Sequence, residues 1–523
     1  MTTILRKGLY VIPLFAICVL LESCGGSSSQ VDPKTSVSAT ANALVAQYTL
    51  AATSSGQVMV EFGTDTNYGR QTASYPLTVG GPINGAAVNV LVAGMKPNTT
   101  YHMRAHFTAN GRSWTDQDHT FTTGPLPSPT PTLTVTRPNP SLSSEENPGI
   151  EMLSLVAVGP TTGNLLRALF TDRDGNPIWY YNVGAAQGDQ PTMMKLLPNG
   201  HIVLLMGNAA AGTSWLREVD LAGNTIRELD TGTLNTRLQQ AGFNLQSQGF
   251  HHDVLPLNNG HWIALIGVNK SFTNLSGYPG TTVVIGDGLV DLDQNFNPVW
   301  AWSAFDHLDV NRHLNGLPDW THSNAIVYSP SDGNLLFSMR HQAWIVKIDY
   351  ANGAGSGDIV WRLGNGGDFT ISSGDSADWF YFQHFPSLIS QSGTQDVLGV
   401  WDNGNLRENA DGTFCNQNLP TGCYSRATVF QLDESTRVAT LQWQDLPGFF
   451  SYWGGSLNQL ENGNVEFDLC DPLVKPVAGV ISEVQEVTQT ANPQIVWKMD
   501  IAVFNAYRAY RVPSLYPGVT WKY

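Results

Sequence analysis

From about residue 140 onward, short apolar runs alternate with polar turns, a period that belongs to half-buried and buried strands rather than to helices. One unit recurs: an apolar strand, a turn ending in Asn-Gly or Gly-Asn, and a second apolar strand, at residues 193–205, 253–265, 324–337 and 457–467. A second hairpin tends to follow it, of the form Asp, turn, apolar, Trp. It is found at residues 172–179, 220–227, 291–300, 348–361, 432–443 and 485–497, six copies in all. Four antiparallel strands per unit, repeated at irregular spacings, predict a six-bladed β-propeller with loop insertions over residues 134–523. Two stacked sandwiches are the alternative. Before it, residues 36–123 alternate in strand-like runs such as 58–62 and 100–107, separated by Gly, Pro and Asn turns, which predicts a small β-sandwich. The proline-rich stretch 124–133 between them reads as a semi-rigid linker.

Composition supports an all-β fold. The chain has 523 residues, more than one domain at about 100–200 residues each. Only 13% of them are charged, where about 25% is usual, and 51 Gly and 15 Trp suit turns and strands better than surface helices. A net charge of −16 opposes binding to nucleic acid. At the start, Arg6 and Lys7 precede the apolar run 8–21, too short to span a bilayer and typical of a secretory signal. Leu21-Glu22-Ser23-Cys24, followed by Gly25, Gly26 and three serines, resembles the lipobox of bacterial lipoproteins, although Glu22 is atypical there. The resemblance implies a signal over residues 1–23, a lipidated Cys24, a tether over 24–35, and an exported protein anchored to the bacterial cell envelope, touching membrane only through that lipid. Ordinary signal cleavage beside a stray cysteine is the alternative. In an oxidising compartment Cys415 and Cys423 can close a small disulfide loop, leaving Cys470 an odd thiol. Within the sandwich, Leu91-Val-Ala-Gly-Met-Lys-Pro-Asn-Thr-Thr-Tyr101 resembles a turn of fibronectin type III domains. Such domains serve as spacers or oligomer contacts, which would allow a homodimer.

The candidate chemistry comes from aligning the inner hairpins. Three of them begin with histidine: Phe250-His251-His252-Asp253, Thr321-His322-Ser323-Asn324 and Gln383-His384-Phe385-Pro386. Equating Asp253, Asn324 and Pro386 places His251, His322 and His384 in one register, around one opening of the channel. A slip of one residue would present His252 instead of His251. The turn after His322 is centred near Ser331, so Arg340 is expected across the strand pair from His322. Three imidazoles and a guanidinium in so acidic a chain are shaped to hold a tetrahedral oxyanion. The bland alternative is channel histidines that merely hydrogen-bond to backbone or water. His102, His106, His119, His201, His261, His307, His313 and His341 are assigned to turns, sandwich, loops or flanks.

His-His-Asp253, His322-Ser-Asn324 with Arg340, then Gln383-His384 and Trp401-Asp402-Asn-Gly-Asn405 together resemble the bacterial arylsulfate sulfotransferases, exported six-bladed propellers that need no nucleotide sulfate donor. The resemblance runs from about residue 140 to the end. It implies that His384 takes the sulfonyl group of an aryl sulfate and passes it to a phenol. His251 or His252, His322, Asn324 and Arg340 would surround the sulfonyl oxygens, and Asp253, Trp401 and Asp402 would help to bind substrate. It implies no metal and no cofactor. Aromatic walls would come from Trp401, Phe385, Tyr381 and Trp320. The match departs in two places: Phe385-Pro386 replaces a small polar residue after the nucleophile, and the cysteine pair follows that histidine rather than preceding it. Other classes stay open. Three histidines with Asp253 could hold zinc or iron, which Arg340 opposes, and an inactive propeller could serve as a surface binding protein.

Overall fold

The computed structural model describes residues 32–522 except 80–84, 129, 158–165, 184–188, 209, 417, 419–420 and 474–478; the predicted signal and Cys24 lie outside the described residues. The amino-terminal unit pairs a three-stranded sheet, Lys34–Ala39, Ala46–Ala52 and Ala86–Val92, with a second sheet built on Gly56–Gly63 and Thr100–Ala109. Burial alternates residue by residue along Ala46–Ala52 and Thr100–Ala109, as a strand covering one face of a core requires. Tyr48, Leu50, Val60, Phe62, Met103 and Phe107 fill the space between the sheets.

Six further sheets form the propeller. The second blade runs Gln190–Leu196, Ile202–Asn208, Thr213–Val219, Thr225–Asp230; the third Ser247–Pro256, Trp262–Leu275, Tyr278–Leu292, Pro298–Ser303. The fourth is Ser323–Ser329, Asn334–Met339, Trp344–Ile348, Ile359–Leu363, and the fifth His384–Ser392, Gln395–Asp402, Arg426–Asp433, Val438–Asp445. The sixth holds Leu457–Gln459, Val465–Leu469, Val480–Val487 and Ile495–Ala502. The first strand of each of these blades packs against the next, forming the inner ring. Each of the six predicted Asp-turn-Trp hairpins joins the outer two strands of a different blade. The Asp closes the turn, as Asp172 does by accepting from the backbone N–H groups of Asp174 (3.0 Å) and Asn176 (2.9 Å). The Trp ties blades together. Trp179 of the first blade donates to Leu221 O of the second (2.8 Å), and Trp497 of the sixth to Arg173 O of the first (2.8 Å), so a buried indole N–H is satisfied across both of these joints.

The first blade is closed by the chain's end. Phe504–Val512 pairs antiparallel with Ile150–Ala157 and becomes that blade's innermost strand, ahead of Ala168–Thr171 and Pro177–Tyr180. Arg508 on it is fully buried, 3.2 Å from Asp253 Oδ1, and donates to Asn324 O. Asp253 also pairs with Lys195 Nζ (2.6 Å) and accepts from Ile326 N (2.9 Å). One carboxylate therefore joins the second, third and fourth blades to the closing strand. The residues after it bind the sandwich: the Tyr516 hydroxyl donates to Leu91 O and accepts from Ala93 N, both at 2.7 Å, and Trp521 Nε1 donates to Gln71 O (2.9 Å). The two units thus share a core, where the sequence suggested a linker alone, and Thr132–Thr136 already belongs to the sixth blade, paired with Ile495–Ala502.

Removing Asp253 would leave Lys195 and Arg508 buried against each other. Asp253→Ala is expected to lower the free energy of unfolding by about 3–5 kcal/mol, read as an earlier midpoint in guanidinium denaturation; a loss under about 1 kcal/mol, the size of a surface pair, would show that the channel charges are solvated.

Candidate active site

The inner strands of the third, fourth and fifth blades all lose register where their histidines lie. Phe250 pairs with Ile266 and Val254 with Ala264, four steps against two. Ser323 pairs with Met339 and Ala325 with Ser338; His384 pairs with Trp401 and Ser387 with Gly399. Each mismatch is a β-bulge, a device that re-aims side chains. His252 (φ 58°), His322 (φ 45°) and Phe385 (φ 30°) take the left-handed conformation there, an unusual state for residues with a Cβ that the surrounding sheet must hold.

The bulge in the third blade corrects the predicted register. His252, not His251, meets the other histidines: its ring centre is 4.9 Å from that of His322. His251 turns aside, its Nε2 3.1 Å from Asp287 and its Nδ1 2.7 Å from His252 Nδ1. Burial pushes the His252 imidazole well below the usual histidine range, and the charges of His322, His251, His384 and Arg508 push it the same way.

His384 is buried, and its tautomer follows from its neighbours. Asn403 Nδ2 donates to Ser451 O (2.7 Å) and Gly454 O (3.0 Å), so Asn403 Oδ1 can only accept, and His384 Nδ1, 2.7 Å away, carries the hydrogen. Nε2 therefore keeps its lone pair and receives the Gly454 N–H at 3.2 Å. Gly454 (φ 64°) is a glycine by necessity, because a Cβ there would lie 2.7 Å from the buried Cys470 Sγ. Burial, then the Arg340 charge, holds His384 well below the usual histidine range, against the opposing hydrogen bond that it donates to Asn403.

Arg340 follows the strand Asn334–Met339, and the pairing of Ser323 with Met339 places it opposite His322. Its hydrogen-bond partners are both uncharged: Nη2 donates to Tyr452 O (2.8 Å) and Nη1 to His341 Nε2 (2.9 Å), while its buried Nε has no partner. Burial lowers it to about 10. Tyr507, from the closing strand, stands between the imidazoles, its ring centre 6.0 Å from His252 and 6.2 Å from His384. Burial pushes its hydroxyl up to about 12, against the opposing charge of Arg508.

The other predicted residues serve differently. Asn324 is buried beside the site, donating to Gln383 O (2.8 Å) with Oδ1 unpartnered. Asp253 lies in the ion-paired floor described above, so it cannot join the histidines as a metal ligand. Trp401 is wholly buried with its ring stacked on Phe467 at 5.3 Å, and Asp402 is fully buried between Arg407 and Arg426. Both are framework, not the substrate contacts that the motif suggested; Asp402 Oδ1 accepts from Tyr381 N (2.9 Å) and so fixes the approach to His384. Trp320 is buried too, stacked on Phe305. Cys415 and Cys423 are joined, with Cα atoms 5.4 Å apart.

Sequence reasoning missed Tyr507, Asn403, Gly454, Asp319 and His341. Asp319 Oδ2 is 2.6 Å from His322 Nδ1, and the His341 ring stacks on His322 at 4.6 Å. Ligand atoms of Asp319, His322 and His341 lie within 4.8 Å of one another, yet they are engaged in hydrogen bonds and face Arg340, whose charge opposes a divalent cation. Asn403 lies inside the Trp401–Asn405 motif, two residues after the strand partner of His384, which is the signal that could have found it; Tyr507 carries no local signal.

The family model described as Arylsulfotransferase (ASST) matches residues 152–511. No curated protein matches the sequence. Among solved structures, a DUF4784 family protein from Bacteroides caccae is 9% identical, covers 86% of this chain and 91% of its own, and superposes with a TM-score of 0.30. The Bacillus licheniformis rhamnogalacturonan lyase PL11 is 10% identical, covers 91% of this chain and 89% of its own, with a TM-score of 0.27. At those scores neither bears on the fold or the chemistry.

A depressed imidazole binds its proton more weakly folded than unfolded, so its contribution to stability is present above the unfolded value near 6.5 and fades as pH falls below it. Nitrogen NMR of labelled histidine should show His384 as the neutral Nδ1–H tautomer at pH 6, with the global unfolding free energy declining between about pH 6.5 and 4. A doubly protonated His384 at pH 6 would refute the assignment.

Proposed function

The chain belongs to the arylsulfotransferase family, and from that premise we propose that it moves a sulfonyl group from an aryl sulfate to a phenol through a covalent intermediate on His384 Nε2. The observation that carries this reading is the hydrogen-bond pattern of His384: Asn403 fixes the hydrogen on Nδ1, burial keeps the ring neutral, and Nε2 keeps an unprotonated lone pair that attacks once it gives up the Gly454 N–H. In the first half-reaction Nε2 bonds to sulfur as the S–O bond to the aryl group breaks in line. In the second, a phenol oxygen attacks sulfur and the S–N bond breaks, which returns His384 unchanged. Dividing one displacement into two in this way is covalent catalysis.

Both steps move negative charge over the sulfonyl oxygens and onto a phenol oxygen, so donors fixed in advance lower the barrier. Arg340 offers a planar fork whose present partners carry no charge, and an oxyanion supplies the missing counter-charge. The Gly454 N–H, at His384 Nε2, and Tyr507, its ring centre 6.2 Å from that of His384, are suited to the same task. One of the two facing imidazoles, His252 or His322, exchanges the proton with the phenol. The Cys415–Cys423 bond supports an oxidising compartment, in line with export and with anchoring through a lipid on Cys24.

Purified protein given a chromogenic aryl sulfate should release its phenol far faster when a second phenol is added. Donor alone, quenched at alkaline pH, should leave one SO3 on the peptide containing His384, and His384→Asn should abolish both labelling and turnover. Arg340→Lys should cost on the order of 100-fold in turnover with the fold intact. Label on another histidine, or release indifferent to acceptor, would contradict this mechanism.

A further inference from the structure

We propose that Asp319 is a positioning residue for this reaction: its carboxylate makes His322, rather than His252, the imidazole that exchanges a proton with the phenol. The inference rests on the transfer reaction proposed above and names its acid–base group.

Asp319 Oδ2 lies 2.6 Å from His322 Nδ1. An ionised carboxylate only accepts, so the hydrogen of Nδ1 is fixed and Nε2 is the atom left to gain and lose a proton. Burial opposes the charge on Asp319, but the His322 hydrogen bond and the charges of His322 and His341 outweigh it and hold the carboxyl below its ordinary range. The groups around His322 are thus Asp319, the stacked His341, and His252 with its ring centre 4.9 Å away; Asp287, Arg340 and His384 lie beyond them. His252 has no such support. Its Nδ1 meets another imidazole, Asp287 pairs with His251, and its surroundings disfavour a proton.

The loop that carries Asp319 is built to stay in place. The long hairpin of the third blade grips it from one side, through Ile285 N to Pro318 O (2.8 Å) and Trp320 N to Ile285 O (2.9 Å), and Leu317 N donates to the Tyr278 hydroxyl (2.9 Å). On the other side Asp319 O accepts from His341 Nδ1 (2.9 Å). That bond leaves His341 Nε2 as the acceptor for Arg340 Nη1 (2.9 Å) and Asn315 Nδ2 (3.2 Å), and burial lowers His341 to about 4, so it accepts as a neutral ring. The same residue therefore holds the proton carrier by its side chain and the oxyanion clamp, through His341, by its backbone. Protons balance over the cycle: His322 Nε2 gives its proton to the departing aryl oxygen as the S–O bond breaks, and recovers one from the acceptor phenol as that oxygen bonds to sulfur.

A proton donor matters most when the leaving phenol is a poor acid. The test is kcat/KM of the full chain for aryl sulfates whose phenols span several units of acidity, with one fixed acceptor. Asp319→Asn should change little with the most acidic leaving phenol and lose on the order of 100-fold with the least acidic, steepening the dependence, while Asp319→Glu recovers part of it. In a His322→Asn background the same substitution should add nothing to the slope. A loss equal for all donors, or a further steepening without His322, would overturn the inference while leaving the transfer reaction standing. A wild-type protein that transfers from no donor would instead defeat the proposed function itself. If Asp319→Asn does not fold, the slope of His322→Asn decides: unchanged from wild type, it overturns the inference.

Discussion

The molecule is organised around guanidinium groups that the last strand drives into its interior. Phe504–Val512 can pair with the first blade only by carrying Arg508 into the channel and Arg511 toward the seam with the sixth blade. A buried cation is tolerated only when it is paired. Arg508 finds Asp253 from the third blade and Asn324 O from the fourth, and lies over the Phe385 ring of the fifth, 4.7 Å from its centre. Arg511 bonds Glu151 of the first blade and Glu486 of the sixth. Hydrophobic packing between blades would permit many small rotations, whereas these charges accept one arrangement. Closing the ring and assembling the site are the same event, since Tyr507 sits beside Arg508 on that strand.

A ring built this way must still turn three inner-strand histidines toward one point, which a regular strand cannot do. Side chains alternate between faces along a strand, and the needed aim comes from bulges and left-handed residues at His252, His322 and Phe385. Such conformations cost on the order of 1–3 kcal/mol each, and they persist because the pairing on either side is long. The long hairpin of the third blade has the same purpose at greater distance, gripping the loop that brings Asp319 to His322.

That division explains what could be read from the sequence. The architecture was legible because it repeats: an Asp that closes the outer turn and a Trp that bridges to the next blade recur in several blades, as Asp172, Trp179 and Trp497 show, for reasons of hydrogen bonding. His322, His384 and Arg340 were legible because two hairpins keep simple arithmetic near their turns. His251 was preferred to His252 because the alignment assumed an unbroken period of two, and nothing in Phe250-His251-His252-Asp253 announces two extra residues in the ladder. Trp401 is the strand partner of His384 and Asp402 follows it, but the Trp401 ring meets Phe467 and the Asp402 carboxylate meets two arginines. His341 was set aside as a flank residue; its stacking on His322 depends on a short 3-10 turn, Arg340–Gln342, that the pattern of apolar positions does not show. Tyr507 comes from a segment distant in sequence that only closure of the ring brings to the histidines, whereas Asp319 lies three residues before His322, in a loop whose path no pattern of apolar positions shows.

The electrostatics of the finished site point one way. The chain as a whole carries −16, yet its channel holds Arg340 and Arg508 near the His252 and His384 imidazoles, which burial keeps neutral. Arg508 is balanced by Asp253, while Arg340 meets a carbonyl and a neutral ring. A guanidinium left with uncharged partners in a desolvated place is poorly stabilised on its own, as its lowered value of about 10 reflects. An anion that displaces water there gains a charge-assisted, forked contact, and a sulfate ester brings that anion with an aryl group attached. Neutral imidazoles complete the logic: a protonated His384 could bind the same anion but could not attack it, so the burial that makes Arg340 want an anion is also what leaves Nε2 free to react with one.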